Sequence, residues 1–489
     1  MKPTDEQVAI LDAIKTTGDN LLIEACPGSG KSTTLEMIQA EHAGPALYVA
    51  FGVMDAKGFG MEKDEFGVPT KKPKPTLKLS TKAQTLNSLG HGVWAKVVPK
   101  IVLDKNKTYK IITAVFDELK GGDKQNAWDQ YSEIKEAVSM ARHLGYIPAG
   151  AERLAPYARP LCDRAGLEAR LENKLTPLAW SIVDSALKTS ITAAYTGLID
   201  FDDQIYMSAL FGGTFPRFPL VLIDEDQDLD PANHAMLGKL CKESRVVAVG
   251  DRWQSIYYFR GAETGGADKI KTKFNMVEYP LSVNFRCPRA IVEAARWRCP
   301  NMKWIKDGGK YEVLSDLDAA TIPEGAAIIC RNNAPLLKAA FALLSGKRSV
   351  QVVGSDISGK IVKLLKRIGA PTDNRETLLL KIDAWRDEKL QTSNAPATTM
   401  DTAECLKVFA SWGSNTEQAV SYAEHIFKQQ GTITLTTGHK AKGKEWDVVY
   451  FLDQHLLSKE DQDLNLRYVI QTRSKDTAYE ITTESTTWQ

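Results

Sequence analysis

The chain has 489 residues, 43% hydrophobic and 25% charged, an ordinary globular composition that excludes a mainly disordered or fibrous protein and suits about three domains. No stretch reaches the ~18–20 uninterrupted apolar residues of a membrane helix, and the opening MKPTDEQVAILDAI lacks the apolar core and small-residue site of a secretory signal. With 62 basic and 61 acidic residues there is no bulk positive field for nucleic acid, so any such binding is expected through a local groove.

Along the chain, a short helix is expected over about 5–16, then an apolar strand at Leu21–Glu24, a glycine-rich turn, a helix from Ser32 and a strand at Ala46–Phe51. This β-turn-α-β order marks a parallel sheet covered by helices. Residues 52–76, rich in glycine and carrying Lys71-Lys72-Pro73-Lys74, read as an exposed insertion whose lysines are solvated and not phosphate-bound. From about 95 to 195 the pattern is helical and strand-poor. Strands return at Pro219–Asp224 and Arg245–Gly250. A second α/β block starts near 281, with strands at Ala326–Cys330 and Val350–Val353. After a polar, helical stretch over 372–428 come strands at Thr432–Thr436, Val448–Leu452 and Ala478–Thr482. The expected fold is α/β with parallel sheets. One domain is made from 1–95 and 196–280 around a helical insertion, 96–195. A second comes from 281–371 and 429–489 around a small insertion, 372–428. The seven cysteines form no C-x-x-C pair or zinc-like cluster, so buried thiols, a cytoplasmic setting and no structural metal are expected.

Ala25-Cys26-Pro27-Gly28-Ser29-Gly30-Lys31-Ser32 fits the phosphate-binding loop, with alanine at its first glycine position and Thr33 continuing into the helix. Gly28 and Gly30 allow backbone N–H groups to turn toward phosphates, and the helix start adds the positive end of its dipole. Lys31 is placed to reach the β- and γ-phosphates, and Ser32 to hold Mg²⁺. Val221-Leu222-Ile223-Asp224-Glu225 supplies a matching buried strand with an acidic end. Asp224 suits Mg²⁺ and Glu225 suits polarising an attacking water. These two motifs point to an NTPase, and kinases, switches, transporters and motors all share them.

The other motifs are more specific. Asp224-Glu225-Asp226-Gln227-Asp228 resembles the D-E-x-Q-D box of superfamily 1 helicases, and Gly250 through Ala262 (GDRWQSIYYFRGA) resembles the G-D-x-x-Q-S-I-Y-x-[WF]-R-G-A motif of their UvrD/Rep/PcrA branch. Leu281–Arg286 is similar to the branch's L-x-x-N-[YF]-R, Thr437–Trp446 to its T-x-H-x-A-K-G-x-E-[FW], Leu466–Arg473 to its L-x-Y-V-x-x-T-R, and Ile199–Asp203 to its I-D-F-D-D. The motifs run in family order over nearly the whole chain. Two departures stand out. The family's T-F-H-S-L reads Thr85-Leu86-Asn87-Ser88-Leu89, losing an aromatic and a histidine, and Ser474 replaces the closing alanine. With 16 residues after Arg473, no fused nuclease domain is expected.

The resemblance implies two RecA-like domains that hydrolyse ATP with Mg²⁺ between them. It places Gln7 on the adenine edge, where a carboxamide can both donate and accept, and Phe285 in a stack on the base. Gln254 would sense the γ-phosphate, Glu445 would accept from the ribose, and Arg286 and Arg473 would act as arginine fingers. Single-strand binding needs stacking platforms and local cations; Phe51, Tyr257, Phe259 and His439 are the aromatic candidates and Arg260 the cation. A monomeric 3′→5′ DNA helicase that loads on a duplex with a 3′ single-stranded tail is therefore expected. The rivals are a translocase that strips proteins from DNA without unwinding it, and a P-loop kinase or switch. Stacking itself does not separate DNA from RNA.

Overall fold

Short apolar runs bounded by turn residues become strands buried on both faces, which is how parallel sheets read in sequence. The computed structural model describes residues 2–481 except 64–68, 79, 152–157, 172–173, 263–264, 316 and 393–395. Its two units are Met1–Cys26 with Gly30–Ser282, and Pro27–Ser29 with Val283–Gln489.

In the first unit the strands β1 (Asn20–Ala25), β2 (Ala46–Ala50), β3 (Thr81–Thr85), β4 (Leu220–Asp224), β5 (Arg245–Gly250) and β6 (Met276–Leu281) form one sheet. Their order is β6-β1-β5-β4-β2-β3 and every pair is parallel. Successive side chains alternate between two cores. Leu21 and Ile23 join Tyr48, Leu222 and Val249 on one face, while Leu22 joins Val49, Ile223 and Ala248 on the other. Because the strands are parallel, all their carboxyl ends lie along one edge of the sheet, where ligands bind in such folds.

The helical insertion, with helices Lys107–Glu118, Gly121–Asp129, Tyr131–Leu144, Arg164–Glu168 and Pro177–Tyr195, builds a core of its own from Ile112, Phe116, Ile134, Val138, Trp180 and Val183. Buried charges tie it to the sheet domain. Lys107 Nζ lies 2.5 Å from Asp203, and Arg142 bonds both oxygens of Asp200 at 2.7 and 2.8 Å.

The second unit repeats the plan with β7 (Lys310–Leu314), β8 (Ala327–Cys330), β9 (Val350–Val352), β10 (Ile433–Thr437), β11 (Trp446–Leu452) and β12 (Ser474–Ile481), ordered β7-β12-β11-β8-β10-β9 and again all parallel. Helices Arg375–Thr392, Pro396–Trp412 and Thr416–Ile426 occupy the stretch expected to be a small insertion. Leu378, Phe409 and Ala423 share one core with Ile328 and Leu435 of the sheet.

Several sequence expectations need correction. β3, β6 and β7 are strands that the residue pattern does not reveal, and each is a sheet edge. One flank of such a strand lacks a neighbour, and none of the three is an unbroken apolar run: TKAQT is mostly polar, while Glu278 and Glu312 interrupt MVEYPL and KYEVL; Pro280 is tolerated because an edge needs fewer donors. Residues 52–76 are not merely a loop: they form a helix, Val53–Gly58, and an antiparallel hairpin, Met61–Lys63 with Pro69–Pro73. Lys72 pairs with Glu62 at 3.0 Å and Lys74 with Glu36 at 2.6 Å. β2 ends at Ala50, leaving Phe51 just past the strand, and Thr482 lies outside the described residues. All seven cysteines are free, six of them buried and Cys162 partly so. Among the described residues no helix is long and apolar enough to cross a membrane.

Candidate active site and strand groove

The glycine-rich turn leaves β1 at Ala25, followed by the buried Cys26 and Pro27. Gly28 (φ 64°) and Gly30 (φ 82°) take left-handed backbone that a side chain would resist. Gly30 caps the helix Lys31–Glu41 and no side chain satisfies that helix start, which suits its N–H groups to an anion. Ser29 is buried, while Ser32 and Thr33 are exposed.

Lys31 and Glu225 meet across the sheet edge, Nζ to Oε1 at 2.6 Å. Burial pulls the Lys31 ammonium down, but Glu225, Asp224 and Asp251 outweigh it and hold it above the usual lysine range. Asp224, at the end of β4, accepts from the Tyr48 hydroxyl at 2.6 Å. Burial, then the neighbouring Glu225, raises its carboxyl. Glu225 takes φ 55°, a left-handed conformation that costs a non-glycine residue ~1–3 kcal/mol and is typical of functional turns.

A chain of hydrogen bonds leads away from Glu225. Its Oε2 accepts from the Gln227 amide, Gln227 Oε1 accepts the Asp251 N–H at 3.0 Å, and Asp251 Oδ2 accepts from Gln254 Nε2 at 2.7 Å. Gln254 is buried, as is Asp251, whose carboxyl burial raises to about 6. Gly250 has no room for a side chain, since a Cβ there would stand 1.7 Å from Asp226 Oδ1.

Gln7 is buried at the first helix start. Its Oε1 accepts the Thr4 N–H at 3.0 Å and its Nε2 donates to Thr34 at 3.0 Å, leaving one donor and one lone pair of its amide. Phe285, Arg286, His439, Glu445 and Arg473 belong to the second unit. Phe285 and His439 are partly buried. Arg286 bonds Glu445 at 2.6 Å. Arg473 is buried, donating to the carbonyl of Val469 at 2.8 Å and to the Thr472 hydroxyl at 3.2 Å.

Four strand-binding candidates come together in the first unit. Phe51 and Tyr257 lie parallel with centroids 6.0 Å apart. Phe259 meets Tyr257 edge-on at 6.0 Å, and the Arg260 guanidinium lies 5.3 Å from the Tyr257 ring and 5.7 Å from Phe259. Phe51 and Phe259 stay 44% and 45% exposed, which leaves ring surface open to a ligand. Phe51, Tyr257 and Arg260 line a groove of about 750 Å³ that also takes in Asn87, His143, Phe201 and Asp202. Phe201 falls within the I-D-F-D-D segment of the sequence, which assigns it no strand-binding role. It starts the helix Phe201–Leu210, is 55% exposed, and its carbonyl accepts from Asn87 Nδ2 at 2.8 Å. The available signal is an aromatic set between acids at a helix start.

Residues 102–275 match the UvrD/REP helicase N-terminal domain. The F-box DNA helicase protein 1 of Schizosaccharomyces pombe is 24% identical across 96% of this chain and 56% of its own. DNA helicase IV of Escherichia coli is 31% identical across 35% of this chain and 25% of its own. The ATP-dependent DNA helicase PcrA of Leuconostoc citreum is 26% identical across 30% of this chain and 23% of its own. Over residues 102–275 the chain is similar to the UvrD/REP helicases, and these three relatives are DNA helicases by name. It spans about half the length of the fission-yeast relative and about a quarter of each bacterial one. The matched UvrD-like segment runs from the helical insertion through the acidic box to the turn bearing Tyr257, Phe259 and Arg260, and so contains most of the aromatic groove.

Proposed function

We propose that this chain is an ATP-dependent DNA helicase that moves 3′→5′ on single-stranded DNA and unwinds duplexes bearing a 3′ tail. One observation carries the reading. Within the first unit a hydrogen-bonded path joins Lys31 and Glu225 through Gln227 and Asp251 to Gln254, and Gln254 opens the segment that ends in Tyr257, Phe259 and Arg260. A phosphate site and a set of stacking platforms therefore share one polar relay. A P-loop kinase or switch has no need of such platforms.

The residues present fit ATP with Mg²⁺: a glycine turn at an uncapped helix start, a lysine, an exposed hydroxyl and two strand-end acids. When bound, that pair supplies the phosphoanhydride to be cleaved and the cation that neutralises its oxygens. Lys31 binds the terminal phosphates, and Ser32 and Asp224 hold the cation. The Glu225 carboxylate orients the attacking water and accepts its proton. Gln254 reports the outcome along the relay. Phe51, Tyr257 and Phe259 grip bases by stacking, and Arg260 meets the backbone phosphate. Arg286, Arg473, Phe285, Gln7, Glu445 and His439 complete the two functions as the family resemblance implies, with Arg286 leaving Glu445 to act on the γ-phosphate. The protein works as a monomer in the cytoplasm.

ATP hydrolysis is to be measured with no nucleic acid, with single-stranded DNA and with single-stranded RNA, and then unwinding of duplexes with 3′ or 5′ tails. Strand-stimulated hydrolysis and unwinding from the 3′ tail are expected. Stimulation with no unwinding would favour a protein-stripping translocase, and unwinding from the 5′ tail would refute the polarity.

A further inference from the structure

The turn that carries Tyr257, Phe259 and Arg260 has little regular structure of its own. It is a single 3-10 turn, Tyr258–Arg260, closed by Gly261 at φ 92°. Two pieces of the helical insertion hold it. Arg170, just past the short helix Arg164–Glu168, lays its guanidinium on the Tyr258 ring with Cζ 3.7 Å from the centroid. Its Nη2 donates to the carbonyls of Tyr258 at 3.0 Å and Ala262 at 2.8 Å. On another side stands the helix Tyr131–Leu144, where a Cβ on Gly261 would lie 3.0 Å from His143 Cβ and 3.7 Å from Met140 Sδ. A planar guanidinium can stack and donate at once, which an ammonium does poorly.

We propose that Arg170 is a positioning residue for strand binding. By locking Tyr258 and both ends of the turn, it aims the Phe259 ring and the Arg260 guanidinium into the strand path, and so gives the helical insertion a part in gripping the strand. This rests on the strand-binding function proposed for the same aromatic groove. Tyr258 faces Arg170 while Tyr257 and Phe259 face the neighbouring aromatics, so alternate residues of the turn divide between being held and being presented. The cost of presenting exposed aromatics on an irregular turn is its tendency to adopt other conformations, and ordering it beforehand raises affinity without a new contact to the ligand.

The test uses the full chain and follows ATP hydrolysis as a labelled oligothymidylate is titrated, with thermal melting run in parallel. Arg170→Met keeps the stem and removes the stack and both bonds; Arg170→Lys keeps the charge. Arg170→Met should raise the strand concentration for half-maximal hydrolysis by about 5- to 50-fold and leave the maximal rate within about 2-fold, with Arg170→Lys in between. Tyr258→Leu should act likewise, and adding it to Arg170→Met should cost little more, because the two side chains work as one unit. An unchanged half-maximal concentration in Arg170→Met, while Phe259→Ala raises it, overturns the positioning role alone. Equal loss of melting temperature and maximal rate in both Arg170 variants also overturns it, leaving Arg170 a fold-stabilising residue. If wild-type protein shows no response to any strand, the strand-binding reading fails and this inference fails with it.

Discussion

Arg286 Nε donates to Glu445 Oε2 at 2.6 Å, and Arg286 Nη1 reaches the Thr472 carbonyl at 3.3 Å. The family resemblance assigns these partners to opposite ends of a nucleotide, one to the γ-phosphate and one to the ribose, yet here they hold each other. A partly exposed ion pair of this kind is worth about 0–1 kcal/mol, so little opposes its exchange for a phosphate. An arginine finger contributes roughly 10³–10⁵ in rate. Arg286→Ala should therefore abolish most strand-stimulated hydrolysis while a nucleotide analogue still binds, and Glu445→Gln should change the rate only a few-fold. Steady-state hydrolysis beside analogue affinity decides it: wild-type turnover in Arg286→Ala would leave Arg286 as nothing more than Glu445's partner.

A second expectation concerns pH. Burial lowers the His143 imidazolium, but its bond to Asp230, 2.7 Å from Nδ1, and the nearby Asp202 outweigh burial and the opposing Arg142 charge, so its folded pKa is raised. The proton is thus bound more tightly in the folded state. The stabilisation is complete below the unfolded value of about 6.5 and is lost as pH rises through the higher folded value. Wild type should exceed His143→Gln by about 1–2 kcal/mol near pH 6, with the gap closing toward alkaline pH. Melting curves across that range check it, and a constant gap would assign the difference to packing.

The buried charges between the insertion and the first sheet domain predict a large effect. Lys107 and Asp203 are both essentially inaccessible, and removing one member of a buried ion cluster typically costs ~3–5 kcal/mol; Arg142, 3.2 Å from Asp203, still pairs with that carboxylate, which puts the loss near the low end of the range. Lys107→Ala should be destabilised by that order in urea unfolding. Lys107→Met combined with Asp203→Leu should recover little, because Asp203 also accepts from Arg142 at 3.2 Å and from the Asp200 N–H at 2.9 Å and both would lose that partner. Loss below about 1 kcal/mol in the single variant would mean that water reaches the site.

Phe259→Ala should weaken single-strand binding by roughly 1–3 kcal/mol, the usual value of one stacked base. Nucleotide binding should persist, because the substitution leaves Lys31, Ser32 and Asp224 unchanged. Fluorescence anisotropy with a labelled strand gives the answer. Unchanged affinity together with a lower melting temperature would make Phe259 a packing residue.

The sequence by itself determined what is local. The glycine turn after β1, the acid pair at the end of β4 and the GDRWQSIYYFRGA segment at the end of β5 are each contiguous, and each follows a short buried apolar stretch of its strand. Two parallel-sheet units could be read from those runs. Tertiary structure decided the rest, because it depends on partners far apart in the chain. The edge strands β3, β6 and β7 are fixed by the neighbour each pairs with, and none carries an unbroken apolar run. The helices within 375–426 share the second sheet's core instead of standing apart. Gln7 is engaged by Thr34, Arg286 by Glu445, and the Tyr258 turn by Arg170. The first two join side chains distant in the sequence and the third ends on a backbone carbonyl, which every residue carries, so residue type alone leaves no sign of where these donors will go.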